Sequence, residues 1–162
     1  MNDKTLHRLT LLATLVLAGL VNSCRTSQSG SASPLSQGFL PSQAQVAEVR
    51  GFGGRAKLPG GSWHKLLLGD WLPMGSSVQT SSESSVTLSL YEAGIVVHVK
   101  PASEVRLEKL AYRKDAGAVI TATRLNLPKG EVGVDNANLT PGSEFEIRTP
   151  QGVTQIPPRG RN

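Results

Sequence analysis

Apolar and polar positions alternate with a period of two through much of this chain. Val86, Leu88 and Leu90 are interleaved with Ser85, Thr87, Ser89 and Tyr91; after Glu92-Ala93-Gly94 the alternation resumes at Ile95, Val97 and Val99. Val105 and Leu107 follow Pro101, set among Glu104, Arg106 and Glu108. A period of two places apolar side chains on one face of an extended strand. The stretch 63–107 therefore predicts short strands ended by turn residues, with one face that a second layer must cover. The rest of the chain is expected to supply that layer.

The same texture continues on both sides. Upstream, Val46 and Val49 precede Gly51-Phe52-Gly53-Gly54, read as a bulged strand and not as a phosphate loop, because no helix and no Lys-Ser/Thr pair follows. Leu58-Pro59-Gly60-Gly61 and Leu72-Pro73-Met74-Gly75 are turns, and Val78 and Thr80 begin a further strand that residues 81–85 carry forward. Residues 103–112 read as a strand in preference to a helix, since they alternate and hold β-branched residues. Downstream, Asp115-Ala116-Gly117 turns the chain into an alternating strand through Val119, Thr121, Thr123, Leu125 and Leu127, and Pro128-Lys129-Gly130 turns it again. Val132 and Val134 make a short strand, and Phe145, Ile147 and Thr149 alternate with Glu144, Glu146 and Arg148 before Pro150-Gln151-Gly152 and Val153. Short strands with turn signals every 8–12 residues predict an all-β domain over residues 46–156, of the sandwich, barrel or solenoid kind.

The N-terminus has a different texture. Lys4, His7 and Arg8 precede the apolar run LTLLATLVLAGL at residues 9–20, which falls short of the roughly 20 residues of a spanning helix and has the form of a secretory signal. Val21-Asn22-Ser23-Cys24 resembles the lipobox of bacterial lipoproteins. The resemblance implies cleavage after Ser23, a signal peptide over residues 1–23 and lipid attachment at Cys24; the alternative is an uncleaved apolar anchor. Acyl chains at Cys24 would hold the protein on a membrane, since two or more chains anchor stably. Arg25 in place of Asp points to the outer membrane in preference to the inner, facing the periplasm or the surface. Residues 24–45 are rich in Ser, Gln, Gly and Pro and predict a disordered tether, about 25 Å in root-mean-square span. Residues 157–162 form a tail.

Composition narrows the function classes. Aromatic residues are 4% of the chain and the formal charge is +5. The bases are scattered along the sequence without aromatic interleaving, which argues against a nucleic-acid partner. Cys24 is the one cysteine, so no internal disulfide forms.

The ordered series Trp63, Gly69-Asp70, Leu72, Gly75, Val78, Thr80, Val86, Leu88, Gly94, Val97, Pro101, Ser103 and Val105 resembles the FecR domain. Leu127, Gly130, Val132 and the run from Ser143 to Val153 extend the likeness over most of residues 46–156. The resemblance implies a β-rich module outside the cytoplasm. The founding member of that family senses a loaded iron transporter and signals to a sigma factor, but only eight residues precede the apolar run here, too few for a cytoplasmic signalling bundle. Two departures from the family pattern stand out. Glu92-Ala93-Gly94 occupies the place of an Asp-Gly turn, and Pro157-Pro158 replaces the closing strands, so an exposed sheet edge is expected within residues 143–156.

No residue set carries catalysis. His64 and His98 lack neighbours at metal-ligand spacing. Glu144 and Glu146 share a strand face and read as solvated. Asp135, Asn136 and Asn138 lack the acidic and glycine positions of a calcium loop. The serines form no Gly-x-Ser-x-Gly motif. The expectation is thus a protein without catalytic, metal or cofactor site: a lipid-anchored interaction module of the cell envelope, with an envelope protein or a cell-wall glycan as partner. An iron-responsive sensor is an alternative, and a surface hydrolase a remoter one.

Overall fold

The computed structural model describes residues 38–158. The expected signal peptide, Cys24 and most of the expected tether lie outside the described residues. Within them the chain is all-β.

The strands run in order β1 (Leu40–Pro41), β2 (Gln43–Arg50), β3 (Arg55–Lys57), β4 (Trp63–Lys65), β5 (Trp71–Pro73), β6 (Ser77–Gln79) and β7 (Ser85–Leu90). After a 3-10 turn at Tyr91–Ala93 come β8 (Ile95–Val99), β9 (Glu104–Asp115), β10 (Ala118–Lys129), β11 (Val132–Asp135), β12 (Glu144–Thr149) and β13 (Gly152–Gln155). They form two sheets. The larger has eight strands in the order β13-β12-β10-β9-β6-β3-β4, with β1 added beside β9; the smaller has five in the order β11-β8-β7-β2-β5. Of the two-residue hairpin loop joining β9 to β10, Ala116 and Gly117 both have positive φ, 46° and 84°, as a right-twisting hairpin demands.

Each sheet turns one face inward onto a single core. Val86, Leu88, Leu90, Ile95, Val97 and Val99 from the smaller sheet join Val78, Val105, Leu107, Leu125, Phe145 and Ile147 from the larger, each at most 8% exposed. The alternating strands at the centre of the sequence thus do not form one layer. β7 and β8 belong to one sheet and β9 to the other, so this stretch covers itself.

Three bulges reset the inward phase. In β2, Ala47 is an extra residue between the pairs Val46–Leu88 and Glu48–Thr87. In β9, Glu108 is extra between Leu107–Leu125 and Lys109–Arg124, which moves the buried positions from Leu107 to Leu110. In β10, Leu127 and Pro128 together face Val105, so the proline sits where a ladder tolerates a missing donor. All strand pairs are antiparallel except β10 with β12, which run parallel because the chain visits the other sheet as β11 between them.

Several expectations change. The ordered sheet starts at Leu40 and Gln43, so residues 40–41 and 43–45 of the expected tether are strand: Ala44 is fully buried opposite Leu90. Residues 51–54 are a loop between β2 and β3, not a bulged strand; a Cβ on Gly51 would lie 2.3 Å from the Glu83 carbonyl oxygen and one on Gly53 2.0 Å from Ser81 Oγ. That loop needs glycine because it packs on the turn at residues 81–84, which itself is not strand. The exposed edge does fall within the expected residues 143–156: it is β13, whose four residues are all exposed, while β12 lies between β10 and β13.

Candidate functional site

The residues from which a FecR likeness is expected mostly build the frame. Thr80 Oγ1 donates to the Lys100 carbonyl at 2.7 Å and accepts the Ser103 N–H at 3.0 Å. Ser103 Oγ lies 3.1 Å from the Pro101 and Glu131 carbonyls and accepts the Glu131 N–H at 2.9 Å. Thr80 and Ser103 are buried, so this knot ties the turn before β9 to β6 and to the turn after β10. Gly130 has φ of 87°, and its α-carbon passes so near Ser103 that a Cβ would sit 2.5 Å from the serine Cα. The Gly69 N–H donates to the Val46 carbonyl at 2.8 Å and the Val46 N–H to the Asp70 carbonyl at 2.9 Å, while Asp70 Oδ2 accepts the Leu67 N–H at 2.8 Å. These bonds fix the approach to Trp71.

The other polar candidates lie on strand faces and in a turn. His64 on β4 and His98 on β8 are exposed, and His98 Nδ1 lies 3.2 Å from Thr87 Oγ1. Glu144 and Glu146 share the outer face of the larger sheet. Glu146 accepts from Arg124 Nε at 3.1 Å and from Arg148 Nε, and the Arg148 hydrogen bond, aided by the Arg124 charge, holds its carboxyl below the usual glutamate range. Asp135 Oδ1 accepts the Ala137 N–H, while Asn136 and Asn138 donate to the carbonyls of Pro157 and Gly94; this is a turn tied at three points. Among the described residues no group of three or more His, Cys, Asp or Glu is placed to hold a metal ion. None of the described helices is long and apolar enough to cross a membrane.

What the fold does assemble is a groove of about 460 Å³ lined by Pro41, Ser42, Gln43, Trp71, Glu92 and Tyr112. It opens where the chain steps from the larger sheet to the smaller between β1 and β2. The Ser42 N–H bonds to the Leu110 carbonyl at 2.9 Å, which pins that step against β9. Tyr112 stands opposite Leu40, and Trp71 on the edge strand β5 stands opposite Gln45. Glu92 comes from the 3-10 turn after β7. The volume is in the range of small-molecule sites, roughly 300–1,000 Å³. Two aromatic side chains, one carboxylate, one amide and two hydroxyls, those of Ser42 and Tyr112, offer flat apolar faces beside hydrogen-bonding groups. No nucleophile and base are paired there. Sequence reasoning passed over Trp71 and Tyr112. One signal was present: Trp71 is one of two tryptophans in an aromatic-poor chain, yet it alternates with nothing that marks it as a ligand contact.

Compared with protein-family models, with curated proteins and with solved structures, the chain matches none.

Proposed function

We propose that this protein is a non-enzymatic binding module of the bacterial cell envelope, similar to a FecR domain and anchored through lipid on Cys24, and that its groove takes a cell-wall glycan. The observation that carries the reading is the groove's combination of Trp71 and Tyr112 with Glu92, Gln43 and Ser42. A sugar ring presents C–H groups on its faces and hydroxyls around its rim. Aromatic faces suit the first, and carboxylate and amide groups suit the second. The lipobox-like run ending at Cys24 supports the anchor, and the secretory form of residues 1–20 supports export.

A second reading is favoured by β13. Its outer edge pairs with no described strand and Val153 is 60% exposed, so an extended segment of an envelope protein would add there as a further strand.

The test places a photo-crosslinking residue at Gln43 in the groove, at Val153 on β13, and at Asp135 on the far side of the smaller sheet, in cells making the lipidated chain. Glycan adducts from position 43 alone support the groove. Protein adducts from position 153 alone shift the function to the strand edge. Equal labelling at all three sites, or none, overturns both. Labelled palmitate incorporated into the wild type and absent from Cys24→Ser checks the anchor separately.

A further inference from the structure

The bases that look scattered along the sequence are gathered by the larger sheet. Residues paired across a sheet share a face, so the register can be followed strand by strand. One row runs Lys65, Arg55, Gln79, Glu104, Lys129. The next runs Trp63, Lys57, Ser77, Arg106, Asn126, Arg148, Val153. A third runs Lys109, Arg124, Glu146, Gln155, and Arg113 lies beyond it opposite Ile120. The rows between them hold Val78, Val105, Leu107, Leu125 and Ile147, which are buried, so the charged rows face outward. This face carries nine bases against the acids Glu104, Glu108, Asp115, Glu144 and Glu146, a surplus of four. The paired rows of the smaller sheet's outer face carry Arg50 against Glu48 and Asp135. The net positive charge of the domain is therefore one-sided.

Neutralisation within the face is incomplete. Arg124 and Arg148 pair with Glu146, and Arg113 with Asp115. Lys57, Lys65, Arg106 and Lys129 are exposed and make no ion pair among the described residues. The chain also enters the domain on this side: the Phe39 ring lies 5.9 Å from Lys109 Nζ and 5.3 Å from the Arg113 guanidinium. Only fourteen residues lie between Cys24 and Phe39, a reach of at most about 50 Å. At the row's end Trp63 is 37% exposed, with Arg55 over its ring at 5.1 Å. Tryptophan beside a cation suits the headgroup zone of a bilayer.

We infer that the outer face of the larger sheet, centred on Lys57, Arg106 and Lys129, docks on an anionic lipid surface and lays the domain flat beside its anchor. The groove and the smaller sheet are then turned away from the bilayer. The tether part of the argument rests on lipid attachment at Cys24. The charged face does not, because every described core residue lies between Ala44 and Ile156 and these residues close one core. The test therefore uses the unlipidated chain from residue 24 onward with Cys24→Ser, so that a failure of lipidation leaves it untouched.

Co-sedimentation is measured with vesicles containing phosphatidylglycerol and with pure phosphatidylcholine vesicles. Each base near an anionic surface contributes about a fivefold factor. Binding to the anionic vesicles, lost between about 0.1 M and 1 M salt as the screening length falls from ~10 to ~3 Å, is expected. The triple variant Lys57→Gln, Arg106→Gln, Lys129→Gln should bind about a hundredfold less tightly. The variant Gln45→Glu, Arg50→Gln, Lys100→Gln changes net charge by the same amount on the opposite side and should bind within about threefold of the parent. Far-UV circular dichroism and melting confirm that both variants fold. Equal losses in the two variants, no binding to anionic vesicles, or an oligonucleotide bound more tightly than the vesicles would each overturn the inference.

Discussion

Two buried threonines provide a matched pair for testing what holds the frame together. Thr80 is 5% exposed and Thr121 4%. Thr80 Oγ1 has a single hydrogen to donate, and the shorter contact directs it to the Lys100 carbonyl at 2.7 Å; its lone pair accepts the Ser103 N–H at 3.0 Å. Thr121 Oγ1 has no hydrogen-bond partner among the described residues. Replacing either by valine keeps the shape and removes the hydroxyl. In Thr80→Val the Ser103 N–H stays buried without an acceptor, at a cost of about 1–3 kcal/mol. The Lys100 carbonyl loses a part-buried bond as well, and the middle of that range, about 2 kcal/mol, is the expected total. For a domain of about 120 residues, with unfolding entropy of about 2.1 cal/mol/K per residue, that lowers the melting temperature by about 8 °C. In Thr121→Val an unpaired hydroxyl leaves the interior, so stability should hold or rise by up to about 1 kcal/mol. Differential scanning calorimetry of the two variants beside the parent measures the contrast. Equal shifts, or a larger loss in Thr121→Val, would show that hydrogen-bond satisfaction is not what distinguishes the sites.

Other outcomes follow from the same geometry. Gly130→Ala should cost at least about 2 kcal/mol, because left-handed backbone strain adds to contact with the Ser103 backbone, while Gly60→Ala, at φ of 70° with nothing within 4 Å, should cost about 1; urea titration reads both. Phe145→Ala empties the centre of the core, where Phe145 is fully buried, and should lose about 3–5 kcal/mol by the same titration. Glu146 has its pKa depressed by Arg148 and Arg124, so its contribution is present above the ordinary glutamate range and is lost as pH falls through its lowered folded value. Glu146→Gln should therefore be less stable at neutral pH and lose less on acidification below about pH 4.5, followed by melting temperature against pH; parallel curves for variant and parent would refute this. With Trp63→Phe, Trp71 becomes the one tryptophan, and cell-wall glycan fragments should shift its emission; Trp71→Ala in the otherwise wild-type chain should abolish binding measured by calorimetry.

The sequence by itself determined the strands and most of their turns. Alternation is local, and Val86, Leu88, Leu90, Ile95, Val97 and Val99 declare their buried face within a few residues of one another. Turn chemistry is local too, as at Ala116-Gly117 and Gly130. The tertiary structure decided which strands share a sheet, because pairing is a long-range choice among surfaces that look alike in sequence. It set β7 and β8 against β9, ran β10 parallel to β12, and drew residues 40–41 and 43–45 into strands whose Ser- and Gln-rich flank had suggested a tether. Bulges at Ala47 and Glu108 changed the phase of burial, which no fixed period foresees. The groove and the cationic face belong to this second kind: Trp71, Glu92 and Tyr112, or Lys57, Arg106 and Lys129, are far apart along the chain and meet only through sheet register and the step between layers.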